Sequence, residues 1–236
     1  MTLLLHEVHH VAGAHEDEFE RAYRDVWMPT LAEGDDARLL YFLHHAHGTG
    51  RAYNVVTITA VRDGAAWEAI ARRIQGGDLR SWAGDLDRLR HRVTAKPLLP
   101  VPWSPLTQVD LASVPTSGHH PLTLFMEDTA WPYEGKLDDY LEAVEAQYAP
   151  TLEEQRHGGR SMLELLGVFQ PAWGSTARRE VVLWQKVRDA RSITALISTE
   201  IPAEHRAPGT WMHDALRVRD DWESKLLRTA AWSPWH

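Results

Sequence analysis

The spacing of apolar residues divides the chain into short elements. Leu3 to Val11 starts apolar and turns histidine-rich, a strand that Gly13 breaks. Over Glu16 to Trp27, Phe19, Tyr23, Val26 and Trp27 fall on one stripe at helical spacing, and Pro29 and Gly34 are expected to end that helix. Arg38 to His47 and the β-branched run Tyr53 to Val61 read as strands around a Gly48-Thr49-Gly50 turn. Asp63 is a natural N-cap for a helix carrying Trp67, Ile70 and Ile74. Past Gly76-Gly77, helical spacing continues through Trp82, Leu86, Leu89 and Val93, and a short strand is expected around Val101.

The same order then recurs. Leu122–Thr129 is a strand, and Lys136–Tyr148 a helix with Leu137, Tyr140, Leu141, Val144 and Tyr148 on one face. Ser161–Phe169 and Arg179–Val187 are strands, Ser192–Thr199 a helix, and Thr210–Arg228 a helix built on Trp211, Ala215, Val218, Trp222 and Leu226. Short motifs repeat in step. Pro29-Thr30-Leu31 returns as Pro150-Thr151-Leu152, 121 residues on; Val61-Arg62-Asp63 returns 126 residues on; Trp103-Ser104-Pro105 returns 129 residues on as Trp232-Ser233-Pro234. So long a period marks a duplicated domain, well beyond the roughly 20–50 residues of a solenoid repeat. Prolines crowd Lys96 to Pro121, where neither helix interior nor central strand is expected. The expected organisation is unit 1 over 1–106, a linker over 107–120 and unit 2 over 121–236. Strand–helix–strand–strand–helix with a closing strand is the split β-α-β order of the ferredoxin-like fold. The expected class is α+β, with two tandem ferredoxin-like units packing their sheets into an α/β barrel.

Composition narrows the function. The 236 residues carry a net charge of −8, which argues against a dedicated binder of nucleic acid or anionic membrane. There is no cysteine, so disulfides, thiolate metal sites and cysteine nucleophiles are excluded. The opening Met1 to Glu7 lacks the pattern of a signal peptide, and no apolar run reaches 18 residues, so a cytoplasmic location is the expectation. The 11 tryptophans suit apolar cores and aromatic pockets; Trp67, Trp82, Trp211 and Trp222 stand at core spacing, whereas Trp131, Trp173 and Trp184 fall on strands or turns.

His6-Glu7-Val8-His9-His10-Val11-Ala12-Gly13, followed by Glu16-Asp17-Glu18-Phe19, resembles the opening strand and helix of NIPSNAP-family domains. Glu134-Gly135-Lys136-Leu137-Asp138-Asp139-Tyr140 resembles that family's turn and helix, and Gly167-Val168-Phe169-Gln170, Gly174 and Glu180 to Trp184 its later strands. The family's strand arginine is replaced here by His9 and, in the second copy, Ala130. The resemblance implies the dimeric α/β-barrel group, which includes monooxygenases, polyketide cyclases, isomerases, haem-degrading enzymes and chlorite dismutases. It implies a fold and a pocket and leaves the reaction open.

Strand alternation puts Glu7 and His9 on one face and His6 and His10 on the other; the family pattern turns Glu7 and His9 toward the barrel cavity. Tyr41, His45 and His47 share a face. The expected catalytic set is His9 as base, Glu7 as its orienter, and His45 or Tyr41 polarising an oxygen. Asn54, Asp128, Phe169, Glu180 and Trp184 are the expected substrate contacts. No metal site is expected, although His9, His45 and Glu7 could make one if the strands bring them together. No cofactor is favoured, and haem on one axial histidine is the runner-up. The expected activity is cofactor-independent proton transfer on an aromatic or polyketide-like molecule of secondary metabolism. A haem- or metal-dependent enzyme and a non-catalytic binding or assembly protein are the alternatives. The expected partner is a small molecule, with no nucleic acid or membrane, and homodimerisation is left open.

Overall fold

A computed structural model describes residues 2–159 and 162–236. Its elements, in chain order, are β1 (Leu3–Val11), α1 (Glu16–Ala22), α2 (Met28–Ala32), β2 (Ala37–His45), β3 (Asn54–Val61), α3 (Gly64–Gly76), α4 (Arg80–Leu89) and β4 (Arg90–Pro100). Then follow β5 (Leu124–Pro132), α5 (Leu137–Ala143), α6 (Ala149–His157), β6 (Leu163–Pro171), β7 (Val181–Val187), α7 (Ala190–Ser198), α8 (Trp211–Asp214) and β8 (Arg219–Thr229).

Two compact units result, and neither is a continuous stretch of chain. The first comprises Met1–Leu99, Thr107–Thr123 and Leu226–His236; the second comprises Pro100–Leu106 and Leu124–Lys225. In the first, antiparallel strands lie in the order β4-β1-β3-β2, and the end of β8 pairs with β2 through Leu43 and Thr229. In the second the order is β8-β5-β7-β6. Both orders are ferredoxin-like, as expected of the α+β class.

The Trp-Ser-Pro tails are exchanged. Ser104 follows unit 1's last strand in sequence but belongs to the second unit, where its Oγ accepts from the Val168 N–H at 2.9 Å. Ser233 belongs to the first unit and accepts from the Phe42 N–H at 3.1 Å. Phe42 and Val168 are themselves repeat-equivalent, 126 residues apart. The two copies thus make the same bond with each other's tails.

Helices α1 and α2 form one rod joined by a π-turn over Tyr23–Trp27; α5 and α6 are joined in the same way over Val144–Tyr148. Pro29 therefore does not end the first helix. Proline lacks an N–H and crowds the carbonyl four residues back, and the wider π-turn absorbs both conflicts. This rod buries Phe19, Tyr23, Trp27 and Leu31 against Leu39, Phe42, Val55 and Val61 of the sheet. Full burial of side chains of this size contributes about 1.5–3 kcal/mol each.

Three other expectations are corrected. The expected helix Thr210–Arg228 contains only α8 and a 3-10 turn, and Arg219 onward is strand β8. Helix α4 stops at Leu89, so Val93 lies on β4, and that strand runs on through Lys96, Pro97 and Leu98, paired with β1, where no strand was expected. Trp67 and Trp222 are 44% and 41% exposed and are not core residues. Asp63 does cap α3, accepting from the Ala66 N–H at 2.9 Å.

Candidate functional site

In unit 1 the helix-covered face of the sheet carries a polar cluster inside the aromatic core. Glu7 and His9 share that face, as alternation requires, and β3 places Thr57 directly across from Glu7. His9 is buried against the rings of Phe19 and Tyr23, at centroid distances of 5.0 and 5.6 Å. Arg90, the first residue of β4, donates from Nη1 to His9 Nδ1 at 2.8 Å and is itself held by Asp87 at 2.7 Å. Since arginine only donates, His9 Nδ1 is the acceptor and the imidazole proton sits on Nε2. There it meets Thr57 Oγ1 and the Tyr23 hydroxyl, each at 3.1 Å. Thr57 donates onward to Glu7 Oε2 at 3.3 Å.

Electrostatics follow from this placement. Burial, with Arg90 and His6 adding, pushes the His9 pKa well below the usual histidine value, so the ring is neutral. Burial raises the Glu7 pKa, and Arg90, Thr57 and Tyr23 pull it back in part. Burial, and next the Glu7 charge, pushes the Tyr23 phenol well up. Of the Glu7 and His9 side chains, Glu7 alone reaches solvent, at 18% exposure.

Tyr41 and His45 take the opposite face of the same sheet. Tyr41 pairs with Ile58, whereas Glu7 pairs with Thr57. The sheet therefore stands between His9 and His45, and the four expected catalytic residues do not converge. Nor do Glu7 and His9 turn to the face away from the helices; they lie under the helices. Among the described residues no group of three or more acids and histidines has metal-holding geometry. Asn54 opens β3 opposite His10.

Unit 2 has a matching buried cluster. Asp128 is the counterpart of Glu7, and Arg219, the first residue of β8, stands 129 residues after Arg90. Gln185 Nε2 donates to Asp128 Oδ2 at 2.9 Å, and the Tyr148 hydroxyl donates to Gln185 Oε1. Burial raises the Asp128 pKa to about 6 against the opposing effects of Ser224, Gln185, Arg219 and Trp222. Where unit 1 has His9, this cluster has Ala130. Of the remaining expected substrate contacts, Trp184 is buried and stacks on Phe125 at 5.4 Å. Phe169 is buried over Gly167, and Glu180 accepts from Trp131 Nε1 at 3.1 Å. These three lie on the face away from Asp128. Tyr23, Thr57 and Arg90 were not anticipated from sequence; the repeat relation between Arg90 and Arg219 is the signal that could have found the last of them.

Haem would need a histidine with a ring nitrogen to offer. His9 has both engaged, as above. His44 bonds Glu16 and Glu20 at 3.1 and 3.2 Å, and His120 bonds the Pro121 and Ser233 carbonyls at 2.7 and 2.9 Å. None of these three buried imidazoles fits axial ligation without surrendering a bond.

No protein-family model matches the sequence, and no curated protein does. Solved structures do. A candidate monooxygenase from Lactobacillus acidophilus aligns over 98% of this chain and 96% of its own, at 10% identity and a TM-score of 0.55. An anthrone oxidase-like protein aligns over 97% and 91%, at 8% identity and a TM-score of 0.59. Chlorite dismutase from Candidatus Nitrospira defluvii aligns over 97% and 91%, at 8% identity and a TM-score of 0.51. A NIPSNAP protein from Agrobacterium tumefaciens covers 45% of this chain and 99% of its own, at 16% identity and a TM-score of 0.37. At these identities the likeness to the first three establishes architecture alone. The chain therefore has the dimeric α/β-barrel type of α+β fold, written as two ferredoxin-like units in one polypeptide.

Proposed function

We propose that this protein is an enzyme that moves a proton on a small aromatic or polyketide-like molecule without a cofactor, using the Glu7 cluster of unit 1. The observation that carries the reading is a carboxylate of raised pKa at the only solvent-reaching end of the buried Glu7–Thr57–His9 chain. A carboxylate with raised proton affinity is a better base at neutral pH. His9 is a poor base here, because its pKa is lowered and its lone pair is engaged by Arg90. The two therefore exchange the roles expected from sequence. Glu7 takes the proton. Neutral His9 shares its single Nε2 proton between the two hydroxyls around it and so aims them. Arg90 supplies the positive charge that steadies an enolate.

Anthrone is a suitable probe, since one of the proteins of like fold is anthrone oxidase-like. Its CH₂ is acidic, and the enolate takes up dioxygen and, with the abstracted proton returned, gives anthraquinone and water. Deuterium wash-in at that carbon reads proton transfer, and oxygen uptake reads the oxidation. The wild type should accelerate the wash-in, and Glu7→Gln should slow it about 10²–10⁴-fold. Equal wash-in by the wild type and Glu7→Gln would remove Glu7 from the chemistry.

A further inference from the structure

We infer that the first unit carries a separate oxyanion-binding site at one corner of its sheet, on the face away from the helices, built from His10, Arg51, His91 and Arg92. It would take the phosphate or carboxylate group of a small molecule. The inference stands apart from the proton-transfer reading and needs none of its residues.

Register creates the site. Across three neighbouring strands, Asn54, His10 and Arg92 stand side by side. The pairing of β1 with β4 slips between His10 and Val11, so that Val11 faces Arg90 while His10 faces Arg92. In an unbroken strand Arg90 and Arg92 would point the same way. The bulge sends Arg90 under the helices to His9 and leaves Arg92 on the other face. Bulges re-aim side chains in this manner beside functional sites. The extra residue, His91, brings its ring to 5.1 Å from His10. Arg51 joins from the β2–β3 loop. The loop that carries Arg51 is tied to β1 beside His10, where the Tyr53 carbonyl accepts from the Val11 N–H at 3.0 Å, and the charges of Arg51, His91 and Arg92, after desolvation, lower the His10 pKa.

The arginines of this corner are unlike most others. Arg62, Arg72, Arg73 and Arg156 each rest on a carboxylate. Among the described residues, Arg51 and Arg92 make no ion pair or hydrogen bond, in a chain whose net charge is −8. The second unit shows the same corner neutralised. Its counterparts of His10 and Asn54 are Trp131 and Glu180, bonded at 3.1 Å. Its counterparts of His91 and Arg92 are Asp220 and Asp221, and Asp220 holds Arg178 at 2.8 Å. Two guanidiniums and two imidazoles at one corner of the sheet form a donor set for an oxyanion.

The test is calorimetric titration at constant ionic strength with phenyl phosphate, benzoate and inorganic phosphate, on the wild type and on Arg51→Gln, Arg92→Gln and Arg72→Gln. Saturable binding of at least one probe is expected. It should weaken about tenfold in Arg51→Gln and in Arg92→Gln and be unchanged in Arg72→Gln. Phenyl phosphate or benzoate binding more tightly than inorganic phosphate would assign the anionic group to a metabolite. Equal binding would assign the site to the free ion. Absence of saturable binding for all three, or equal loss in Arg72→Gln, would overturn the inference. The arginines are exposed, and thermal melts of the variants confirm that they fold.

Discussion

Arg90 donates to Nδ1 of His9 across 2.8 Å, which fixes the imidazole as its Nε2–H tautomer. Nitrogen–proton correlation spectra of the wild type should show that single tautomer, unchanged between about pH 6 and 8. Arg90→Gln removes the charge that helps depress the His9 pKa, so His9 titration should move toward higher pH. A wild-type His9 that titrates near the ordinary histidine value would contradict the assignment.

Asp128 should make stability depend on pH in the unusual direction. Its pKa is raised from the ordinary 3.8 to about 6 in the folded chain. Between those values the folded state holds a proton that the unfolded state lacks, so this group's contribution falls as pH rises and is fully lost above about pH 6. The displacement corresponds to at most about 3 kcal/mol. Asp128→Asn keeps an acceptor for Gln185 without the charge. The variant should therefore gain on the wild type as pH climbs from 4 to 7, measured as the difference between the two denaturation midpoints. A flat difference would mean that Asp128 is ionised throughout.

The exchanged serines offer a matched pair. Ser233→Ala strips the partner from the Phe42 N–H, and Ser104→Ala does the same for Val168. Each should cost about 1–3 kcal/mol, the penalty for a buried donor left unpaired. Urea unfolding should give similar losses for the two. A negligible loss at one site would show that its tail is not needed to close that unit.

Gly167 has no room for a side chain. A Cβ there would run into Phe169 Cζ, so Gly167→Ala must displace the Phe169 ring. Overpacking of this kind costs about 1–3 kcal/mol. Phe169→Ala should be less damaging in the Gly167→Ala background than in the wild type, and a double-mutant cycle reads the difference. Strict additivity would mean that the ring moves aside freely.

Much of the fold was legible because it rests on local pattern. The β-branched run of β3, the stripe Phe19–Tyr23–Trp27 and the Asp63 cap each announce one element. The stretch Arg219–Thr229 misled because Trp222 and Leu226 stand four apart, as in a helix, while their neighbours give no clean alternation. Which unit each tail joins has no local signature at all. The site was half legible for a similar reason. Alternation pairs Glu7 with His9 and Tyr41 with His45, but it does not say which of the two faces the helices cover. Arg90 reaches His9 through a bulge, and a one-residue slip in register is silent in composition.

The Phe42–Ser233 bond joins residues 191 positions apart. Until Leu226–His236 arrives, the edge of β2 in the first unit is without its neighbouring strand, although nearly all the rest of that unit has long been made. Pairings this distant slow folding, and an open edge invites the wrong partner meanwhile. Reciprocal tails also bind the fate of one half to the other, so that loosening either end withdraws a strap from the half it does not belong to in sequence. The duplicated chain should therefore melt in a single transition, with neither half able to survive the other.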